Sequence, residues 1–258
     1  MSTHEPPGVD QLPPLHEIPG RIPLSYGSVG DFERHLRAQT HKVLIDGAKR
    51  ICDVGAGAKP SIGLGMVQRY ALDYLILDAS QDELDRAPAG YRMLQADILD
   101  SQAISEEVSR DGPFDAVFSR WTAEHIPDGR RFHEAVFSML RPGGRAVHMF
   151  PTLYTPPFVV NRLLAEGLSR RLLFRVYPER EVKFPALYSW CRGPTRRQLR
   201  RLEDVGFSIE HYFGFFGHNF YASIRPLHRA QQLLTRTLIE HPVPQLTSFA
   251  LVVLRRPE

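Results

Sequence analysis

The chain has 258 residues, 43% of them apolar and 24% charged. That length and balance suffice to bury a full core without a disulfide or structural metal, and they exclude a disordered or fibrous chain. The net charge of +3 is too small to argue for nucleic acid, and the two cysteines, Cys52 and Cys191, match no metal-ligand spacing.

In chain order, residues 1–25 read as a flexible leader, punctuated by Pro and Gly and without the apolar core of a signal peptide. Residues 26–258 read as a single domain. No stretch approaches the roughly 18 apolar residues of a membrane span, so a cytoplasmic protein is expected. Residues 29–47 read as a helix with Asp31 near its start and Phe32, Leu36, Val43 and Leu44 as apolar positions. Short apolar strands follow over 50–54, 74–78, 91–96, 114–119 and 145–150, separated by helical or loop segments. That alternation implies a parallel sheet covered on both faces. Residues 151–190 break the rhythm. They read as a helical lid inserted after the fifth of these strands, over the carboxyl edge of the sheet, or as a packing appendage. A helix over 195–205 starts at Pro194-Thr195 and stops at Gly206. A sixth strand over 207–216, a largely helical stretch over 219–240 and a last strand over 246–254 complete the chain. Arginines crowd between Arg162 and Arg201. They read as solvated helix faces or as a surface facing an anionic substrate.

The first strand of the alternation ends in Asp53-Val54-Gly55-Ala56-Gly57. Glycines there let the backbone approach a ligand and turn into the next helix. The third glycine of the dinucleotide fingerprint is replaced by Ala58-Lys59-Pro60, and a carboxylate beside the turn suits a pyrophosphate poorly. Asp78, followed by Ala79, ends the second strand about twenty residues on, where a carboxylate can accept from both ribose hydroxyls. Asp97 and Ile98 follow the third strand; the pair can take an adenine amino group and its ring, or Asp97 can cap the next helix. The fourth strand runs into Ser119-Arg120-Trp121-Thr122-Ala123-Glu124-His125-Ile126-Pro127, and Leu140-Arg141-Pro142-Gly143-Gly144 precedes the fifth.

The segments DVGAG, LILD, QADI, FDAVFSRWTAEHIPD and LRPGG, in that order, resemble class I S-adenosylmethionine (SAM)-dependent methyltransferases over about residues 45–150. The resemblance implies an α/β, Rossmann-like, doubly wound and mostly parallel seven-stranded sheet with an antiparallel last strand. It implies SAM as cofactor. Gly55, Ala56 and Gly57 would pass along the methionine part, with Asp53 near its amino group. Asp78 and Ala79 would meet the ribose, and Asp97 and Ile98 the adenine. Ser119, Arg120 and Trp121 would stand between cofactor and acceptor. Tyr26 would fold over the cofactor carboxylate or anchor the leader. The Ala58-Lys59-Pro60 departure leaves the loop path open.

A sulfonium methyl is already activated, so positioning carries most of the rate, and a base is needed only for acceptors that lose a proton. His125, Arg120 and His218 are the candidate catalytic groups; His148, His211 and Tyr188 are weaker ones, with core roles as the alternative. Arg120 can pair with an acceptor carboxylate or phosphate, or with Glu124. The expected acceptor is a small molecule, possibly anionic, with no metal, membrane or nucleic-acid partner and a monomeric or homodimeric chain. Competing readings are an NAD-linked oxidoreductase, a SAM-binding protein with non-methylating chemistry, and an RNA or protein methyltransferase, the last resting only on the arginines.

Overall fold

The computed structural model describes residues 15–153, 185–218 and 225–258. Among the described residues, one nine-stranded sheet runs in the order β1-β2-β8-β9-β7-β6-β3-β4-β5. The strands are β1 (His16–Ile18), β2 (Leu24–Ser28), β3 (Arg50–Val54), β4 (Asp73–Asp78), β5 (Arg92–Gln95), β6 (Phe114–Arg120), β7 (Leu140–Pro151), β8 (Ser208–Phe216) and β9 (Phe249–Arg255). The seven expected strands are β3 to β9. The last, β9, runs antiparallel to both β7 and β8. The expectation of seven strands is corrected by β1 and β2; β1 and the first two residues of β2 lie within residues 1–25, read as leader. The strand β2 pairs parallel to β8, and β1 pairs antiparallel to β2.

The helices are α1 (Phe32–Ile45), α2 (Leu64–Arg69), α3 (Gln81–Asp85), α4 (Ser101–Asp111), α5 (Gly129–Met139), α6 (Arg196–Val205) and α7 (Arg225–Glu240). Strand residues alternate between two cores, as a period of two requires. Cys52, Leu75, Leu77, Val117 and Val252 join Ile104 of α4, Phe132 and Val136 of α5 and Leu202 of α6. Ile51, Ile76, Ala116, Phe118 and Leu251 join Phe32, Leu36 and Val43 of α1 and Leu84 of α3. A sheet buried on both faces explains why its strands read as continuous apolar runs.

Ion pairs tie the amino edge of the sheet, away from the strand ends that bear the motifs. Glu107, 2% exposed, takes Arg50, Arg92 and Arg110. A buried carboxylate is tolerated there because several guanidinium groups satisfy it.

The lid expected over 151–190 lies largely outside the described residues. Of the arginine cluster, Arg196, Arg197 and Arg200 are exposed on α6. Arg201 lies over the Trp190 ring at 5.3 Å, and Arg192 donates to the Tyr188 and Cys191 carbonyls. No described helix is long and apolar enough to cross a membrane.

Candidate active site

The chain runs outward from β3 through β4 to β5, then returns to β6 on the other side of β3. Such a reversal opens a crevice at the carboxyl ends of the strands. A cavity of about 580 Å³ lies there, lined by Gly55, Ala56, Gly57, Asp78, Ala79, Asp97, Ile98, Arg120, Trp121 and His125 among others.

Its floor is the turn after β3. Gly55 and Gly57 have φ of 67° and 42°, values that favour glycine. A Cβ on Gly57 would come within 2.9 Å of Glu83 Cβ and 3.1 Å of Asp78 Oδ2; one on Gly55 would strike the Thr122 side chain. The Thr122 hydroxyl in turn donates to the Val54 carbonyl at 3.1 Å and pins the loop after β6 across the end of β3. The cradle therefore exists only without side chains, as close approach of backbone to a ligand requires.

Asp53 underlies this turn rather than facing the cavity. It is fully buried and accepts from the Ser61 amide at 2.6 Å, the Ser61 hydroxyl at 3.1 Å and the Tyr74 hydroxyl at 2.5 Å. Burial raises its pKa above the ordinary carboxylate value while these bonds pull it back. Its carboxylate fixes the path of residues 55–61, which answers where Ala58-Lys59-Pro60 leads the loop.

Asp78 and Ala79 stand at the end of β4. Asp78 Oδ1 accepts from the Ser80 amide at 2.9 Å, and burial followed by the neighbouring Glu83 charge raises its pKa. Asp97 Oδ1 accepts from the Leu99 amide at 2.9 Å, whereas the cap of α4 is Asp100, accepting from Gln102 and Ala103. Ile98 is 3% exposed and forms apolar wall. A cationic, adenosine-bearing ligand fits this set: a bare backbone cradle, carboxylates for hydroxyl and amino donors, and an apolar face for a ring.

On the β6 side, Arg120 donates to the Lys59 carbonyl at 2.9 Å and has no ion pair with Glu124. Trp121 has φ of 59° and remains 39% exposed, its ring edge-on to Phe32 and Phe249. A bulky residue held in the left-handed region costs on the order of 1–3 kcal/mol and is characteristic of functional sites. A 3-10 turn, Ala123–His125, follows. His125 lines the cavity, and its Nδ1 lies 2.9 Å from the Pro185 carbonyl. A carbonyl only accepts, so Nδ1 carries the proton. Glu124 points into the protein, 4% exposed; burial raises its pKa to about 8.

Three other expected site residues do not line the cavity. Ser119 is buried against His148, Oγ to Nδ1 at 2.7 Å. Tyr26 is fully buried in β2 and stacks on Phe216. His218 is 5% exposed after β8, its carbonyl accepting from Gln231, with its pKa lowered by burial. Of the weaker candidates, His148 is buried and His211 half-buried, and both are held neutral. Burial lowers His148 well below the ordinary value and His211 to about 4; His211 also bonds Ser25 at 2.7 Å. Tyr188 is a core residue, 3% exposed.

Sequence reasoning missed Lys59, Glu83 and Thr122 as lining residues. Glu83 had a signal: Ser80-Gln81-Asp82-Glu83 is a capping-box pattern, and Ser80 does accept from the Glu83 amide at 3.3 Å. That start to α3 places Glu83 beside Asp78.

Residues 52–148 match a family described as a methyltransferase domain. No curated protein matches the sequence. Among solved structures, an S-adenosylmethionine-dependent methyltransferase from Mesorhizobium loti is 21% identical, over 86% of this chain and 98% of its own, with a TM-score of 0.51. Geranyl diphosphate C-methyltransferase from Streptomyces coelicolor A3(2) is 14% identical, over 85% of this chain and 80% of its own, at 0.50. The [4+2]-cyclase SpnF is also 14% identical, over 94% and 86%, at 0.52. At such identities the structures speak to the fold alone. Fold, cradle and domain match agree: residues 52–148 resemble a methyltransferase domain and lie in an α/β fold of the kind these structures share.

Proposed function

We propose that the enzyme transfers the methyl group of SAM to an oxygen, nitrogen or carbon atom of a small molecule presented at the mouth of the cavity. The observation that carries this reading is the convergence of the Gly55–Gly57 cradle, Asp78, Asp97 and Ile98 on one cavity of about 580 Å³. The cradle backbone and Ala56 would follow the methionine chain, with Asp53 holding the loop from below. Asp78 and Ala79 would meet the ribose, and Asp97 and Ile98 the adenine.

When bound, SAM supplies an electrophilic methyl on a sulfonium. The chain's own task is then to align the acceptor with that methyl and keep water out, which supplies most of the rate. Trp121 offers an exposed face for this, and Arg120 and His125 stand on the same wall. The Nδ1–H of His125 bonded to Pro185 leaves Nε2, 3.8 Å from Glu124 Oε1, as the basic nitrogen that would serve an acceptor that must lose a proton. His218, outside the cavity lining, has no part in this reading.

Calorimetric titration with SAM and S-adenosylhomocysteine tests this. Micromolar binding by the wild type, weakened at least tenfold in Asp78→Ala, is expected, with no binding of NADH. A folded wild type that binds neither ligand would overturn the reading.

A further inference from the structure

Charge divides the cavity. Its β4–β5 side carries the carboxylates Asp78, Glu83 and Asp97, and Arg120 projects from the end of β6 on the other side of β3. Lys59 joins Arg120 on the lining. Arg120 spends one donor on the Lys59 carbonyl. Among the described residues, neither cation forms an ion pair. The carboxylates that could neutralise Arg120 are engaged elsewhere. Asp53, whose pKa burial raises, feels its field as a small opposing effect, but three donors from Ser61 and Tyr74 occupy the Asp53 oxygens. Glu124 is turned into the core.

A guanidinium has five N–H donors in a planar fork that matches a carboxylate or phosphate. Arg120 is half-buried on the wall of a concave site, with most of that fork unspent and a lysine at the rim. A cation kept there without a protein counter-ion is poised for a ligand's negative group.

We propose that Arg120, with Lys59 at the rim, forms an anion-binding subsite of this cavity that takes a carboxylate or phosphate group. The proposal rests on the reading of the cavity as a SAM site. The anion belongs either to the amino-acid end of the cofactor or to the acceptor.

Titration calorimetry on wild type, Arg120→Gln and Lys59→Gln distinguishes these, with melting curves to confirm folding. The probes are S-adenosylhomocysteine, 5′-methylthioadenosine, which lacks the amino-acid end, and inorganic phosphate added to protein with and without S-adenosylhomocysteine. A cofactor source predicts that Arg120→Gln weakens S-adenosylhomocysteine at least tenfold and leaves 5′-methylthioadenosine unchanged. An acceptor source predicts unchanged S-adenosylhomocysteine and a loss of phosphate binding of at least tenfold. In both cases Lys59→Gln shows a smaller change of the same sign. If Arg120→Gln melts early, Arg120→Lys keeps the charge without the fork and should lose part of the same binding. Unchanged binding of all three probes in folded variants would overturn the proposal and leave Arg120 as a strut to Lys59. A wild type that ignores S-adenosylhomocysteine but binds phosphate through Arg120 sinks the cofactor reading alone.

Discussion

Glu124 is a carboxyl group inside the protein, one residue before the cavity-lining His125. Its carbonyl accepts from the Leu187 and Tyr188 amides at 2.7 and 3.0 Å, so its backbone holds the chain that returns after residue 184. Its carboxyl is raised from the ordinary 4.5 to about 8. Between those values the folded chain keeps a proton that the unfolded chain has released. Stability therefore falls as pH rises from about 4.5 to about 8 and levels off above. At about 1.4 kcal/mol per pH unit of separation, the cost is on the order of a few kcal/mol. Glu124→Gln, which cannot ionise, should unfold at higher urea than wild type at pH 9 and at nearly the same urea at pH 5. Equal midpoints at both pH values would show that the carboxyl is not held neutral.

At the scale of elements, α6 carries both of its boundaries in the sequence. Thr195 caps it by accepting from the Gln198 amide at 3.2 Å, and Gly206 closes it with φ of 112°. The helix packs Leu202 into the core beneath α5. Thr195→Ala should cost about 1 kcal/mol of unfolding free energy, measured by denaturant titration. No measurable loss would mean that burial of Leu202, rather than the cap, sets the start of the helix. The element that sequence reasoning could not see is β1. Three exposed residues, His16–Ile18, carry no apolar alternation and become a strand only because β2 offers an edge. Tyr26 of β2, expected either over the cofactor carboxylate or as an anchor, is buried with its ring spent on Phe216.

At the scale of the whole molecule, neutral histidines sit inside the fold. Burial lowers His133 to about 3, His211 to about 4, and His148 well below its ordinary value. Below about pH 6.5 the unfolded chain takes up protons that these folded histidines refuse, so their contribution to stability falls as pH drops. Asp53 and Asp78, raised by burial, oppose this near their ordinary value of 3.8. Combined with Glu124, the urea midpoint should be highest near pH 6.5 and decline on both sides. A midpoint flat from pH 7 to 5 would contradict the buried, neutral state of these imidazoles.

The sequence by itself determined the seven strands from β3 to β9, the glycine turn, and the carboxylates at the ends of β4 and β5. These are local matters: apolar runs, capping residues and glycines act within a few residues of themselves. Only the tertiary structure decided which motif side chains face the cavity. Asp53 and Ser119 belong to motifs as strong as those of Asp78 and Arg120, yet they turn into Ser61, Tyr74 and His148. The facing of a side chain depends on register with partners 21 and 29 residues away, which no local pattern encodes. The same holds for Lys59, Glu83 and Thr122, which reach the site because β3 lies between β4 and β6.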